Sequence, residues 1–266
     1  MDKFLKNNKD LWNELTPIHE QSPLYDVESF KKGRCALKPI ELEEVGDVSG
    51  KSLLHLQCHF GMDTLSWGRL GAKATGVDFS EEAIKLALKL SKETGIKARF
   101  IQSDIYKLPD VLKGKFDIIF TSYGVLAWLP DLKKWAEIIA HYLKRGGYFY
   151  IVELHPVMLL LDDSKDAEGL KIRYPYFPDG KPLYFAWSAD YADRTKSAKH
   201  GSYEWPYPIS NIITSLANAG LHIEYFHEFS ICNHQSLPFM KKQADGWWHI
   251  DGDLIPLTFS LKATKP

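Results

Sequence analysis

Apolar residues along this chain change period in a repeating order. Ser52 to Gln57 is a short apolar run, and from Gly61 to Leu70 apolar positions recur at helical spacing until Gly71 stops them. Ala74 to Asp78 is a second apolar run. Ser80 then reads as a helix N-cap, with Glu81 and Glu82 in the first turn, where the dipole favours acids. That helix carries a stripe of Ile84, Ala87 and Leu88 and ends at Gly95. Ala98 to Gln102 reads as a third strand. Phe116 to Thr121 is a fourth, continuous enough for burial on both faces. Asp131 caps a helix with Leu132, Trp135, Ile138, Ile139 and Tyr142 on one side, and Gly146-Gly147 ends it before a fifth strand, Tyr148 to Glu153. Five rounds of strand and helix predict an α/β fold with a doubly wound, largely parallel sheet.

The alternation breaks at both ends. Residues 1 to 45 spread Trp12, Leu15, Ile18, Tyr25 and Phe30 through polar sequence, which predicts one or two short helices and a loop. Residues 155 to 208 hold ten aromatics, about one in five against 13% overall, together with Pro156, Pro175, Pro178, Pro182 and Pro206. So many prolines exclude one long helix. This stretch reads as an insertion. Ser210 opens a helix with Ile212, Ile213, Leu216 and Ala217 that ends at Gly220. Leu221 to Phe229 and Leu254 to Ala263 are the last two strands. The expected organisation is a lid at 1–45, a core at 46–154, an insertion on the substrate side at 155–208 and the rest of the core sheet at 209–266.

Composition narrows the function classes. The chain has 266 residues, 45% hydrophobic and 25% charged, a net charge of −1 and no basic run longer than a pair such as Lys31-Lys32. A polynucleotide partner usually needs a concentrated basic stripe, so none is expected. No apolar stretch reaches the length of a membrane span, and no apolar segment follows Met1, so neither membrane nor signal peptide is expected. Three cysteines, Cys35, Cys58 and Cys232, fit a reducing cytoplasm without a disulfide framework. His55, Cys58 and His59, with Cys232 and His234, could be imagined as a zinc site. Their spacing is not that of a zinc finger, and no metal is expected.

The densest chemistry lies in LLHLQCHFG, residues 53–61, followed seventeen residues past Gly61 by Asp78 in ATGVDFS. Strand, tight turn, helix, strand, acid is the order of a nucleotide-binding unit whose acid holds a ribose. A dinucleotide's pyrophosphate needs bare backbone at the turn, as in G-x-G-x-x-G. Here Gln57, His59 and Phe60 occupy that position. A nucleoside cofactor without phosphates fits better, and S-adenosylmethionine is the common one.

On these residues the chain resembles the class I S-adenosylmethionine-dependent methyltransferases, and more closely a bacterial small-molecule branch whose first motif reads HLQCHFG-x-DTLSW. The resemblance runs from Trp12 to the closing IPLTFSLKA. The usual family motif is acid-x-Gly-x-Gly-x-Gly. On this chain His55 stands for the acid, Gln57 and His59 for the first two glycines, and only Gly61 remains. The resemblance implies a Rossmann-like seven-stranded sheet whose last strand is antiparallel, closed by a lid.

Strand ends then supply the candidate site. Gln57, His59, Phe60 and Gly61 would hold the methionine part of the cofactor by backbone groups. Asp78 would accept both ribose hydroxyls, the alternative being a helix-capping acid, and Phe79 follows it in the site. The resemblance implies that Asp104 accepts from the adenine amino group and Ile105 packs on the ring; an exposed loop acid is the alternative for Asp104. The fourth strand end gives Ser122 and Tyr123, then Gly124 and Leu126 to Leu129. TSYG stands where methyltransferases acting on amides and base amines carry an Asn-Pro-Pro-Tyr type run, which disfavours those substrates. The lid motif YDVESFKKG offers Tyr25, Phe30 and Gly33, which could equally pack the lid onto the sheet.

Methyl transfer from a sulfonium needs alignment, and a base only where the nucleophile arrives protonated. His155, two residues after Glu153 on the same side of the strand, is the candidate base, and a loop histidine bonded to backbone is its alternative. Tyr123 could orient the nucleophile. His19 is a weaker lid candidate. Tyr184, Trp187, Tyr203 and Trp205 line a substrate pocket or form the small core of a hairpin layer. The expected function is methyl transfer from S-adenosylmethionine to a small molecule; a nicotinamide-dependent oxidoreductase and a non-catalytic binder of the cofactor are the alternatives.

Overall fold

A computed structural model describes residues 2–186 and 189–266. Trp187 lies outside the described residues. Three helices come first, α1 (Lys3–Gln21), α2 (Val27–Lys31) and α3 (Pro39–Val45). The core follows as β1 (Ser52–Leu56), α4 (Met62–Arg69), β2 (Lys73–Asp78), α5 (Glu81–Thr94), β3 (Arg99–Gln102), α6 (Leu108–Val111), β4 (Phe116–Ser122), α7 (Leu132–Tyr142) and β5 (Leu143–Leu154). After it come the hairpin β6 (Leu183–Phe185) and β7 (Ser202–Glu204), then α8 (Ile209–Asn218) and β8 (His222–Phe229). The short strands β9 (Ile231–Cys232), β10 (Lys241–Lys242) and β11 (Trp248–His249) precede the closing β12 (Thr258–Thr264).

The main sheet has seven strands in the order β3-β2-β1-β4-β5-β12-β8. β1 pairs in parallel with β2 and β4, while β12 runs antiparallel to both β5 and β8. The α/β reading with an antiparallel last strand therefore holds. Strand order reverses between β1 and β4, which opens a crevice at their carboxyl ends. Alternating residues feed two layers. Leu54, Leu56, Ile119, Phe149 and Ile151 pack on Trp135 and Ile139 of α7, whereas Leu53, Ile118, Phe120, Tyr150 and Val152 pack on Trp67 of α4. Both tryptophans are fully buried.

Several boundaries differ from the pattern-based expectation. The N-terminal region contains one helix of 19 residues, longer than expected and running through Pro17. An interior proline costs about 3 kcal/mol. Burial of the stripe Asn8, Leu11, Leu15 and His19 offsets it. The chain is already extended at Leu143 rather than helical to Gly146. Gly147 is needed for close approach, since a Cβ there would sit 2.8 Å from the Asp117 carbonyl oxygen. β12 starts at Thr258 rather than Leu254, after Pro256, which has no ladder donor. The three-stranded sheet β10-β11-β9 arises from a stretch, 230–253, to which periodicity assigns nothing; its pairing strands are two residues each, too short for alternation to show.

Candidate functional site

The turn after β1 is the strained centre of the site. Gln57, His59 and Gly61 take φ values of 55°, 49° and 78°. The backbone thus keeps the left-handed conformation natural to glycine, at about 1–2 kcal/mol for each non-glycine residue. Specific bonds hold it there. Gln57 Nε2 donates to the Val125 carbonyl at 2.9 Å, the Cys58 amide to the Val77 carbonyl at 2.9 Å, and the His59 amide to Asp78 Oδ2 at 2.8 Å. Gly61 has no room for a side chain, because a Cβ would lie 2.5 Å from the Phe100 ring. Backbone strain concentrated at one turn is a marker of a functional site.

Asp78 ends β2, buried, and its Oδ1 accepts from the Ser80 amide at 2.9 Å. Burial raises its carboxyl to about 6, against the lowering pull of three backbone hydrogen bonds. Ser80 itself caps α5, its hydroxyl accepting from the Ala83 amide at 3.0 Å, so Asp78 is free of the capping role. Asp104 caps the turn after β3 by accepting from the Tyr106 amide at 3.0 Å, with Ile105 buried beside it.

These groups open on one cavity of about 1260 Å³. Its wall includes Tyr25, Gln57, His59, Phe60, Gly61, Asp78, Phe79, Asp104, Ile105, Ser122 and Tyr123, so the structure brings most of the expected cofactor-side residues together. Phe30 and Gly33 lie apart from this wall. Phe30 is fully buried among Phe60, Met62 and Leu65, with the Arg69 guanidinium 4.8 Å over its ring. The Gly33 carbonyl accepts from Arg69 at 3.2 Å. Neither reaches the wall, where Arg34, Lys38 and Glu41 stand for the same segment.

Tyr123 and His155 are committed elsewhere. Tyr123, at φ 28°, donates its hydroxyl to Glu41 Oε2 at 3.0 Å. Burial and the Glu41 charge push that hydroxyl's pKa far up, and burial, with the Asp63 charge adding to it, raises Glu41 to about 8. Ser122 donates to Asp63 Oδ2 at 3.1 Å. His155 is not part of the cavity wall. Its Nδ1 accepts from the Val157 amide at 3.1 Å, and its Nε2 lies 3.0 Å from Glu228 Oε1 without hydrogen-bond alignment. Desolvation lowers its pKa against the pull of Glu228. The chain leaves β5 toward β8 and β12 at this point, with the His155 amide donating to the Leu257 carbonyl at 2.9 Å, and the ring follows. Glu153, also buried, grips the loop after β4 by accepting from the amides of Gly124, Val125 and Leu126.

Contacts between segments far apart in sequence back the opposite wall. Asn8 of α1 exchanges two hydrogen bonds with the backbone of Tyr203, at 2.7 and 2.8 Å. His19 lies between His59 Nε2 at 2.8 Å and Asp190 Oδ2 at 3.0 Å, with the Tyr25 ring stacked on it. Trp12 packs edge-on to His19, His59 and Trp128. Of the insertion aromatics, Tyr184 reaches the wall, whereas Tyr203 and Trp205 pack on Phe4 outside it. Sequence reasoning missed Asp190, Tyr191 and the segment Asn233 to Leu237, all on the wall, and ranked His19 low. The 12-15-19 spacing on α1 was the available signal for His19; none marks Asp190. Among the described residues, no group of three or more His, Cys, Asp or Glu side chains is placed to hold a metal ion.

Residues 50–170 match the family described as a methyltransferase domain. The chain is 29% identical over 135 residues to a ubiquinone biosynthesis O-methyltransferase of Bordetella pertussis, covering 49% of this chain and 56% of that protein. It is 26% identical over 159 residues to the protein of that name from Escherichia coli, covering 58% and 66%. The chain thus spans a little over half the length of the first of these relatives. Among solved structures, one named a putative S-adenosylmethionine dependent methyltransferase from Listeria monocytogenes superposes with a TM-score of 0.61 at 18% identity, over 85% of this chain and 97% of that one. A magnesium protoporphyrin IX methyltransferase of Synechocystis with bound SAM superposes with a TM-score of 0.55 at 13% identity, over 100% of this chain and 99% of that one. By strand order, antiparallel β12 and these superpositions, the fold is the Rossmann-like α/β fold of class I methyltransferases.

Proposed function

We propose that this chain transfers the methyl group of S-adenosylmethionine to a small molecule, and that it belongs with the branch whose first motif reads HLQCHFG-x-DTLSW. The carrying observation is Asp78: a buried carboxylate at the end of β2, hydrogen-bonded to the turn at His59 and open to the cavity. Two lone pairs per oxygen leave it able to accept the ribose hydroxyls as well. In this reading Gln57, His59, Phe60 and Gly61 face the methionine part, Phe79, Asp104 and Ile105 the adenine, and Tyr25, Ser122 and Tyr123 complete the pocket. The cofactor, when bound, supplies an electrophilic methyl group; the chain supplies alignment and exclusion of water.

The cavity exceeds the roughly 300–1,000 Å³ usual for one ligand, which suits a cofactor and a substrate side by side. The relatives' name, O-methyltransferase, supports an oxygen nucleophile. Side chains at Gln57 and His59 oppose a dinucleotide pyrophosphate and so a nicotinamide enzyme. No described helix is long and apolar enough to cross a membrane. A cytoplasmic location without nucleic-acid or membrane partners fits the net charge of −1 and the three free cysteines. Calorimetric titration with S-adenosylhomocysteine and with NADH tests the reading. Saturable binding of the first alone supports it; binding of NADH alone overturns it, and binding of the first with no methyl transfer to any member of a small-molecule panel favours the non-catalytic binder.

A further inference from the structure

The insertion brings to the cavity a carboxylate that the chain leaves without a counter-charge. β7 is gripped on both sides of Glu204. Tyr203 exchanges two hydrogen bonds with Asn8, and the Trp205 amide donates to the Ala127 carbonyl at 2.8 Å. Tyr203 and Trp205 pack on Phe4, so strand alternation turns Glu204 the other way, and it lines the cavity. Its β6 partner Leu183 lines the cavity too, as does Phe185, the partner of Ser202. Glu204 Oε1 accepts from the Ser202 hydroxyl at 2.7 Å. Oε2 accepts from no described residue and is not closed off from solvent. Cations on the same wall are committed elsewhere or exposed. Arg173 lies 2.8 Å from Asp162 and 3.7 Å from Asp163, Arg194 donates to the Gln235 carbonyl at 3.0 Å, and Lys165 is exposed. Burial raises the Glu204 carboxyl to about 7, with the Ser202 bond pulling down and the Asp163 charge pushing up.

We infer that Glu204 anchors a protonated amine of the substrate, its Oε2 accepting from the ammonium while Phe185 and Tyr174 take the apolar skeleton. This deepens the methyl-transfer reading by naming a substrate class, and rests on it. Glu204 stands among Leu183, Phe185 and Tyr174, the last two with ring centroids 5.2 Å apart. A neutral hydroxyl could also donate to Oε2, but it would leave a carboxylate charge uncompensated in apolar surroundings, which is costly. An ammonium cancels that charge and is attracted to ring faces as well. An anion would meet the charges of both Glu204 and Asp163. Among the described residues, Asp163, on the segment after β5, is the charge that acts on this carboxyl. β6, the loop after β4 and α1 set the uncharged Leu183, Ala127 and Asn8 against β7. The site is also rigid, because the residues before and after Glu204 are both tied to other elements, so little ordering remains for the ligand to impose.

Three probes that share a ring and differ in charge test this: phenethylamine, phenethyl alcohol and phenylpropionate. Each is titrated by calorimetry at pH 8 into the full chain saturated with S-adenosylhomocysteine. Phenethylamine should bind about ten- to a hundredfold tighter than the alcohol, the range for a hydrogen bond to a charged group, and phenylpropionate should bind most weakly. Glu204→Gln keeps the shape and removes the charge. It should bring the amine to within about twofold of the alcohol and leave the affinity for S-adenosylhomocysteine unaltered. In the wild type the preference for the amine should fade as pH falls through about 7, because the ammonium needs the ionised carboxylate. Should Glu204→Gln not fold, carboxyl-carbon NMR on the wild type decides. Saturation with phenethylamine should then lower the Glu204 midpoint by about one pH unit or more, which corresponds to a tenfold preference for the ionised form. No binding of the amine, binding no tighter than that of the alcohol, a preference that survives Glu204→Gln, or an unmoved midpoint would overturn the inference. Absent binding of S-adenosylhomocysteine by the wild type would instead defeat the methyl-transfer reading.

Discussion

Two walls of one cavity are built by opposite means. On the wall proposed for the cofactor, partners are near in sequence: Asp78 bonds Ser80, two residues on, and His59, nineteen residues back. On the wall proposed for the substrate, His19 meets Asp190 across 171 positions and Asn8 meets Tyr203 across 195. The first wall needs only two strands and a turn to form. The second exists only when the N-terminal helix docks on the insertion. Damage to the first should therefore remove cofactor binding, and damage to the second should remove substrate chemistry while leaving the cofactor in place.

The harshest break of the first wall is Gly61→Ala. The new Cβ would stand 2.5 Å from Phe100 and 3.0 Å from the Ala87 Cβ, at a φ of 78°. Strain of about 1–2 kcal/mol for the backbone alone adds to the overlap. Affinity for S-adenosylhomocysteine should drop more than about a hundredfold, each 1.4 kcal/mol being a factor of ten. Unaltered affinity and melting temperature would show that the turn tolerates a side chain and that the space argument fails.

Asp78→Asn is the next largest. It keeps the shape and turns one acceptor into a donor. Loss of hydrogen bonds to a charged group, worth about 1.5–3 kcal/mol each, should weaken the cofactor by tens-fold or more. The wild type offers a matching pH test. The folded carboxyl lies at about 6 against a usual 3.8. Because the folded value is raised, Asp78 favours the unliganded fold at low pH, and that contribution is lost as pH rises through about 6. In the role proposed for Asp78 the ribose hydroxyls bind the ionised form, so cofactor affinity should run the other way and fall below pH 6. Thermal stabilisation by S-adenosylhomocysteine should be larger at pH 7.5 than at pH 5. Equal stabilisation at both would remove Asp78 from the ribose.

This contrast also explains what could be read before the structure. The sheet, its order of strands and helices, and the Asp78 side of the site follow from local apolar periodicity and one motif. His155 is a candidate because it follows the fifth strand directly, but strand parity with Glu153 carries a side chain only as far as the strand runs; β5 ends at Leu154, and the chain then turns toward β8 and β12. Phe30 lies in a motif that packs the N-terminal segment onto the core, filling the cluster under Phe60, and the Gly33 carbonyl beside it is held by Arg69. Asp190 has no sequence signal, because its role depends on a helix that begins 187 positions earlier, at Lys3.

Between the walls stands Glu153, which accepts from Gly124, Val125 and Leu126 and so ties the β4 loop to β5. Glu153→Gln should place an amide nitrogen against backbone donors. A buried donor left without an acceptor costs about 1–3 kcal/mol. Chemical denaturation should register that loss, with cofactor affinity reduced less than by Asp78→Asn. A variant as stable as the wild type would mean that the loop holds itself.

The mildest change tests the second wall alone. Asn8 is fully buried on α1, giving its amide to the Tyr203 carbonyl and accepting the Tyr203 amide. One side chain thus pairs with β7 as a neighbouring strand would, and α1 is held where His19 meets Asp190. Asn8→Ala leaves two backbone groups of Tyr203 without these partners, for about 1–3 kcal/mol. The core sheet does not depend on this contact. The cost should therefore appear as local opening: faster amide exchange in α1 and in residues 190–205, a higher KM for the substrate, and a Kd for S-adenosylhomocysteine within about twofold, the change expected where no cofactor contact is lost. Exchange that rises equally through β1, β4 and β5 would show that the lid and sheet unfold as one unit, and the separation of the two walls would fail.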